Sequence, residues 1–290
     1  MATARSYSSV VTTMIGQHPE LAGLPELKLF CCETIGELEA SLPRYWIERG
    51  AAHRSPGLVR ALAEFLFGGQ SPASLASAVA WLHERPGWRG EDVLDVLMER
   101  LEPRIAVEKS PDNILTDDGL RRMAAAYPRA RYLHLARHPV TTQQSIVEHR
   151  RRTVPGYPLE GEPVASIASW YEIHRRILCF AEALPAGRCL RVRAEDVLNH
   201  SAAQMRAIAA WLGIRDDEAA IDAMLHPEAS PFARPVPGGA GMPGGNDPAF
   251  LEDPVPHRVG IPRGVEPPAG WDADESVWQM VMALANRLGY

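Results

Sequence analysis

Short apolar runs alternate with helical patterns through the central part of this chain, and this alternation restricts the possible folds more than any other feature. The runs in "RIAVEKS", "ARYLHLARHP" and "CLRVRAEDVL" predict strands, the first of them a short buried strand at residues 105–107. Helical patterns follow them in "DDGLRRMAAAY", in residues 140–152, in "SIASWYEIHRRILCFAEAL" and in "SAAQMRAIAAWLGI". Strands that alternate with helices favour a mainly parallel sheet flanked by helices on both faces. The sequence therefore predicts an α/β fold.

Residues 33–102 depart from this alternation because they contain only helical patterns. Four of them follow one another, in "ETIGELEASL", "SPGLVRALAEFLF", "SPASLASAVAWLHE" and "GEDVLDVLMERL". Three begin with the serine, threonine or acidic residues that favour a helix N-terminus. We expect a helical insert here, within a single domain that spans residues 1–290.

A proline- and glycine-rich segment occupies residues 231–268. A linker without fixed structure is one interpretation of this composition. An ordered lid or ligand-binding loop is the other, and the aromatic, arginine and histidine residues of the segment favour it. The final helical pattern, "DESVWQMVMALANRLGY", needs a core on which to pack, and that need also favours the ordered lid.

Composition excludes several classes of partner. The 290 residues are 46% hydrophobic and 23% charged, and the net charge of −6 disfavours general nucleic-acid binding, which needs a basic face. No stretch approaches the roughly 20 apolar residues of a membrane span, and the N-terminus lacks the pattern of a signal peptide. The four cysteines form no CxxC pair, which favours reduced thiols. We expect a cytoplasmic protein with no membrane or nucleic-acid partner.

The N-terminus combines a cation, several hydroxyls and the start of a helix. Arg5 is followed by Ser6, Ser8 and Ser9, and a helical pattern covers residues 8–17. Free backbone N–H groups and the helix dipole attract anions to the beginning of a helix. This turn is therefore a candidate anion site.

Two further segments carry similar chemistry near the ends of predicted strands. "EKSP" occupies residues 108–111, and Arg137 is followed eight residues later by Ser145. If a helix begins near Val140, Ser145 lies in its second turn, and both Arg137 and Ser145 can approach one group. Ligands bind at this edge of α/β sheets, and cations with hydroxyls and helix N-termini form phosphate or sulfate pockets.

In this order, the segments resemble the sulfotransferases that use 3′-phosphoadenosine 5′-phosphosulfate (PAPS), most closely the bacterial and protein-tyrosine branches. "ARSYSSVV" lies where that family has its first loop, and "HPE" and "EKSP" match two later motifs. "YPRARYLHLARHPVTTQQSIVEH" matches the family's 3′-phosphate motif, and "LRVRAEDVL" with "AAWLGI" matches a further pair. The resemblance spans nearly the whole chain and implies a P-loop-like fold, with residues 231–268 as the lid over the cofactor.

The chain departs from the family at three places. Tyr7 replaces a glycine of the first loop, and Ala194 replaces a tyrosine before the second acidic pair. Only four residues precede Arg5, so either the sheet begins with a stub or the natural chain begins earlier. A glycine in such a loop permits close approach of the backbone to the phosphate, and we expect Tyr7 to reshape the loop.

The resemblance implies in-line transfer of a sulfuryl group to a hydroxyl or amine, with 3′-phosphoadenosine 5′-phosphate (PAP) as the product. Arg5 would offset the charge of the leaving oxygen, Lys109 would hold the sulfuryl oxygens, and Arg137 with Ser145 would bind the 3′-phosphate. The implied cofactor-binding residues are Arg5, Ser6, Tyr7, Ser8, Ser9, Arg137 and Ser145. Fixed cations and backbone donors can stabilise this transfer, so we expect no metal.

The implied catalytic base is Glu26, eight residues beyond His18. Glu108 is a second candidate, and His18 and His53 are further ones. The acceptor is expected to be a small molecule or a carrier-bound intermediate.

Two other functions are compatible with the sequence. One is a catalytically weakened nucleotide-binding or carrier-interacting protein of the same fold. The other is a small-molecule kinase, which the absence of a GxxxxGK[ST] loop disfavours.

Overall fold

A computed structural model describes residues 1–43, 53–153, 160–236, 244–262, 264–268 and 271–290. The chain divides into two compact units. The first contains Met1–Ser8, Arg131–His200 and His257–Tyr290, and the second contains Ser9–Ala130 and Ser201–Pro256. The assignment of residues 1–290 to a single domain stays a prediction.

Helices and short strands alternate along the described chain. In chain order they are α1 (Ser8–Gly16), β1 (Leu21–Gly23), α2 (Ile35–Ala40), α3 (Pro56–Leu66), α4 (Pro72–His83), α5 (Gly90–Leu101), β2 (Ile105–Val107), α6 (Asp117–Ala126), β3 (Tyr132–Ala136), α7 (Pro139–Thr153), α8 (Glu162–Glu182), β4 (Cys189–Arg193), α9 (Ala194–Asn199), α10 (Ser201–Leu212), α11 (Glu218–Met224), α12 (Pro248–Glu252) and α13 (Glu275–Leu288). Short 3₁₀ turns occupy Pro111–Ile114 and Pro227–Ala229. The three predicted strands and the helices between them are confirmed.

The second unit contains a small parallel sheet. Strand β1 pairs with β2 in the register Leu21↔Ile105 to Gly23↔Val107. Strand β1 was not predicted from the sequence, because three residues give no visible alternation and their partner lies far along the chain. The expectation that β2 is buried was wrong, since Ile105, the first residue of this short strand, is 57% exposed.

The helices of residues 33–102 form the core of the second unit. Ser55 and Ser71 cap α3 and α4 by accepting hydrogen bonds from backbone N–H groups of the first turn. Each cap satisfies one of the free donors at a helix start. The fully buried leucines include Leu58, Leu82 and Leu97. The predicted helical insert is confirmed, apart from residues 44–52, which lie outside the described residues.

The first unit contains a second parallel pair of strands. Strands β3 and β4 pair from Tyr132↔Cys189 to Ala136↔Arg193. Met1 lies beside β3, because its carbonyl accepts a hydrogen bond from the backbone N–H of Leu135 at 2.9 Å. Apolar residues of α8 and α13 form the core of this unit, with Trp170 and Trp278 among them. Helix α13 therefore packs in an apolar core, as the sequence predicted.

Part of the proline- and glycine-rich segment is anchored to the second unit by a buried arginine. Arg60 is 1% exposed and donates hydrogen bonds to the carbonyls of Pro231, Arg234 and Gly244. Its guanidinium also lies 5.6 Å from the ring centroid of Phe232. Arg60 therefore holds residues 231–234 and Gly244 of the predicted lid, whose residues 237–243 and 263 lie outside the described residues.

Within the described ranges, no helix has the length and apolar character that crossing a membrane requires.

Candidate functional site

The N-terminal turn of the first unit has an unusual backbone. Arg5 and Tyr7 have φ angles of 65° and 58°, in the left-handed region that non-glycine residues seldom adopt. Inside the turn, the hydroxyls of Thr3 and Ser6 lie 2.5 Å apart and both side chains are buried. Ser8, also buried, is the first residue of α1. The turn therefore ends at a helix N-terminus, as the sequence predicted.

Helix α7 brings a hydroxyl to this turn. The Nε atom of Arg5 donates to Ser145 Oγ at 3.2 Å. Ser145 lies in the second turn of α7, because the helix begins at Pro139. The sequence paired Ser145 with Arg137, whereas the contact that the structure describes is with Arg5.

Arg137 lies at the carboxyl end of β3 and is only 8% exposed. Its Nε donates to Thr141 Oγ1 at 3.1 Å, and its Nη1 donates to the carbonyl of Arg5. Its guanidinium lies 4.0 Å from the centroid of the Tyr7 ring. The two arginines and the tyrosine of the predicted cofactor-binding set therefore lie together in the first unit.

The charge of Arg137 has no direct carboxylate partner in the part of the chain that the structure describes. Among the described residues, no Asp or Glu oxygen lies within 4.0 Å of its guanidinium nitrogens. Burial lowers the pKa of Arg137, while Tyr7 and Glu195 act in the opposite direction. A buried cation without a counterion is costly, and guanidinium groups bind phosphate and sulfate oxygens strongly. The chemistry of this donor set fits an anionic ligand.

Glu195 holds the turn that follows Arg137. It is 1% exposed and accepts hydrogen bonds from the backbone N–H of His138 at 2.9 Å and from the Tyr290 hydroxyl at 2.7 Å. The indole N–H of Trp170 donates to the carbonyl of Arg137 at 2.9 Å. Glu195 lies in the matched motif "LRVRAEDVL", but its contacts, like those of Tyr290 and Trp170, were not predicted from the sequence. Thr141, four residues after Arg137 on a predicted helix, is a contact that spacing could have indicated.

The second unit brings together three other predicted residues. Lys109 Nζ lies 2.7 Å from Glu26 Oε1 and 3.3 Å from Ser9 Oγ. The side chain of Lys109 is 7% exposed, and that of Glu26 is 23% exposed. Glu26 therefore forms an ion pair with Lys109 while remaining partly accessible to solvent.

The backbone of Glu26 is fixed from two sides. Its N–H donates to the carbonyl of Gly245 at 3.0 Å, and its carbonyl accepts from Ser55 Oγ at 2.9 Å. Gly57, in the first turn of α3, packs directly against the residue, since a Cβ atom at Gly57 would lie 2.2 Å from the Glu26 carbonyl oxygen. The position of Glu26 depends on the start of α3.

The carboxylate of Glu108, the second candidate base, accepts hydrogen bonds from nearby loop residues. Its Oε1 accepts hydrogen bonds from Ser110 Oγ and from the backbone N–H of Leu27, and Asn113 Nδ2 approaches its Oε2 at 3.5 Å. Burial raises the pKa of Glu108, against the opposing effect of these hydrogen bonds and of Lys109. Its contacts fit a structural role between the segments that carry Glu26 and Lys109.

Both candidate histidines are buried and engaged. His18 Nδ1 accepts from the backbone N–H of Glu20, so its Nε2 donates to the carbonyl of Arg215 at 2.8 Å. His53 Nδ1 accepts from the backbone N–H of Ser55 at 3.0 Å, and burial lowers the pKa of His53 to about 4. Neither arrangement favours a role as the base.

In the described parts of the chain, no three His, Cys, Asp or Glu side chains are grouped so that they could hold a metal ion.

Comparisons with known proteins agree with the chemistry of these groups. A family model described as "Sulfotransferase family" matches residues 1–218. The chain is similar to the solved "Sulfotransferase Domain from the Curacin Biosynthetic Pathway", with 21% identity and a TM-score of 0.76 over 100% of this chain and 95% of that one. It is also similar to the "Sulfotransferase Domain from the Synechococcus PCC 7002 Olefin Synthase", with 25% identity and a TM-score of 0.70 over 100% and 92% of the two chains.

A search of curated proteins found no match. The two structural similarities confirm the predicted P-loop-like α/β class. Because the family model covers most of the sequence, we conclude that the chain belongs to the sulfotransferase family.

Proposed function

We propose that this protein transfers a sulfuryl group from PAPS to a hydroxyl or amine of a small-molecule or carrier-bound acceptor. Membership of the family supports sulfuryl transfer in general. The choice of donor rests on the buried Arg137, which has hydrogen-bonding capacity and no carboxylate oxygen within 4.0 Å among the described residues. A phosphate is the partner that this environment favours.

The first unit supplies the two arginines that would hold the nucleotide. Arg137 would bind the 3′-phosphate, and Arg5 with Ser145 would bind a second anionic group near the start of α1. The backbone N–H groups at the beginning of that helix, with the Ser8 and Ser9 hydroxyls, would add neutral donors. Bound there, PAPS supplies the sulfuryl group and a stable bisphosphate leaving group.

Glu26 would act as the base, and Lys109 would stabilise negative charge on the transferred group. Lys109 donates to Oε1 of Glu26 and so orients the carboxylate. The Oε2 atom of Glu26 would take the proton from the acceptor as its oxygen or nitrogen bonds to sulfur. Lys109 would also offset the charge on the sulfuryl oxygens, and Arg5 would offset the charge that develops on the leaving oxygen.

Binding and transfer can be tested separately. Calorimetry should show that the protein binds PAP in preference to ATP with Mg²⁺. Incubation with ³⁵S-labelled PAPS and a panel of alcohols, phenols, amines and carrier-bound hydroxyacyl groups should then yield labelled product. Binding of ATP in preference to PAP would support a kinase, and PAP binding without transfer to any acceptor would support a non-catalytic nucleotide-binding protein; either result contradicts the proposal.

A further inference from the structure

The backbone of Tyr7 is in a conformation that a bulky side chain seldom adopts. Its φ angle is 58°, a region in which glycine, asparagine and aspartate are found far more often. Such outliers persist where the surrounding structure fixes them, and they cluster at binding sites. The proposed roles of this turn use its backbone N–H groups and leave the Tyr7 ring unexplained.

The guanidinium of Arg137 lies over the Tyr7 ring. The ring centroid lies 4.0 Å from Cζ of Arg137, within the range of a cation–π contact. Burial raises the pKa of Tyr7, so its phenol is neutral near neutral pH. A neutral ring with an intact π face is the form that attracts a guanidinium.

This contact completes a three-sided restraint on Arg137. Tyr7 covers one face of the guanidinium, Thr141 accepts from Nε at 3.1 Å, and the carbonyl of Arg5 accepts from Nη1. None of the hydrogen bonds described for this side chain uses Nη2. These contacts restrain the plane of the guanidinium, and its N–H groups point along the edge of that plane, the direction in which arginine binds phosphate oxygens.

We propose that Tyr7 is a positioning residue that fixes the Arg137 guanidinium for edge-on binding of the 3′-phosphate, and that its ring sets how strongly the protein prefers 3′-phosphorylated nucleotides. This inference rests on the proposed function.

The preference is measured as the ratio of two dissociation constants, that of 5′-AMP divided by that of PAP, determined by calorimetry. Tyr7→Asn removes the ring while tolerating the left-handed φ. We expect this variant to lower the ratio by about 3- to 30-fold, the range that corresponds to a buried cation–π contact. The binding of 5′-AMP should change little. Tyr7→Phe retains the ring and should retain the ratio.

Tyr171→Asn is the matched control, because Tyr171 lies on α8 and has no ring contact with Arg137 among those described. Thermal unfolding followed by circular dichroism checks that each variant is folded, and Tyr7→Gly replaces Tyr7→Asn if the latter is not. If Tyr7→Asn and Tyr7→Gly keep the wild-type ratio, or lower the affinity for both nucleotides equally, the role of Tyr7 is overturned. If the wild-type protein itself does not prefer PAP over 5′-AMP, the proposed 3′-phosphate site fails instead.

Discussion

Arg137 is the residue whose environment says most about the ligand. It is 8% exposed, and its described neighbours are an aromatic ring, a hydroxyl and a backbone carbonyl. Buried charges are normally paired. A bound phosphate would complete the set of partners around this cation.

We predict that Arg137→Ala weakens the binding of PAP by about 10- to 100-fold, because a hydrogen bond to a charged group contributes about 1.5–3 kcal/mol. The binding of 5′-AMP should change much less. Calorimetry with both nucleotides measures the difference. Arg175→Ala is a suitable control, since Arg175 is exposed and pairs with Glu172. Equal losses for the two nucleotides would argue against a 3′-phosphate site at Arg137.

The positions of Arg137 and Ser145 relative to their strand and helix were predicted from the sequence, but the residues that they contact were not. The strand that ends before Arg137 and the helix that begins at Pro139 are both strong local patterns, and they fix the place of each residue. The contact of Ser145 with Arg5 joins residues 140 positions apart. Local patterns cannot indicate such a contact, and the same holds for the Tyr7 ring on Arg137.

At the scale of elements, the candidate base depends on the packing of α3 against the segment that follows β1. Ser55 caps α3 and also donates to the carbonyl of Glu26. Gly57 lets the first turn of the helix approach the Glu26 backbone closely. Ser55 therefore both caps the start of α3 and supports the backbone of the residue that carries the carboxylate.

Gly57→Ala should lower the rate of sulfuryl transfer and the stability together. The added Cβ would lie 2.2 Å from the Glu26 carbonyl oxygen, so the backbone must shift. Overpacking of this kind costs about 1–3 kcal/mol, and a displaced base should reduce kcat by about 10-fold or more. Chemical denaturation and steady-state kinetics measure the two effects.

Gly87→Ala is the matched control, because a Cβ atom there would meet nothing within 4 Å. A Gly57→Ala variant with wild-type kcat would mean that Glu26 does not depend on this contact or is not the base.

The sequence predicted the longer helices more reliably than the shortest strand. Helices α3 and α5 have apolar residues on one face and clear starts. Strand β1 has only three residues and is defined by its pairing with β2. Glu26 was placed by its spacing from His18 in the family resemblance, whereas Ser55 and Gly57, which hold it, carry no such signal.

At the scale of the whole molecule, each of the two units has its own apolar core. The family resemblance predicted the fold class, but it gave no sign of this division. The first unit is assembled from three separate stretches of chain, Met1–Ser8, Arg131–His200 and His257–Tyr290. Such an assembly depends on long-range packing rather than on composition or periodicity.

The core of the first unit contains a pair of buried histidines whose charge state should affect stability. His134 Nε2 and His174 Nδ1 lie 2.8 Å apart, and the two residues are 1% and 0% exposed. Burial lowers the pKa of His174 to about 3 and that of His134 well below its usual value. Both histidines are therefore neutral in the folded state at neutral pH.

We predict that the protein loses stability as the pH falls below about 6.5, the usual pKa of an unfolded histidine. Below that pH the unfolded chain binds protons that the folded pair does not, so each histidine lowers the free energy of unfolding by up to about 1.4 kcal/mol per pH unit. Urea unfolding at about pH 7 and about pH 5 measures the slope. The loss continues until the pH approaches the lowered folded-state pKa values.

His174→Asn, which keeps an acceptor near the position of Nδ1, should show a shallower dependence than the wild type. The control is His226→Asn, because His226 is exposed and its pKa is raised by Glu228, so it cannot contribute to the loss. A His174→Asn variant with the wild-type slope would contradict the assignment to this pair.

The Glu26→Gln variant distinguishes sharply whether Glu26 is the base in the proposed sulfuryl transfer from PAPS. The amide keeps the size of the side chain and cannot take a proton, so kcat for transfer of labelled sulfate should fall by about 10²- to 10⁴-fold. The affinity for PAP should stay within about twofold, because the proposed phosphate contacts involve other residues. A Glu26→Gln variant that turns over at close to the wild-type rate would show that Glu26 is not the base.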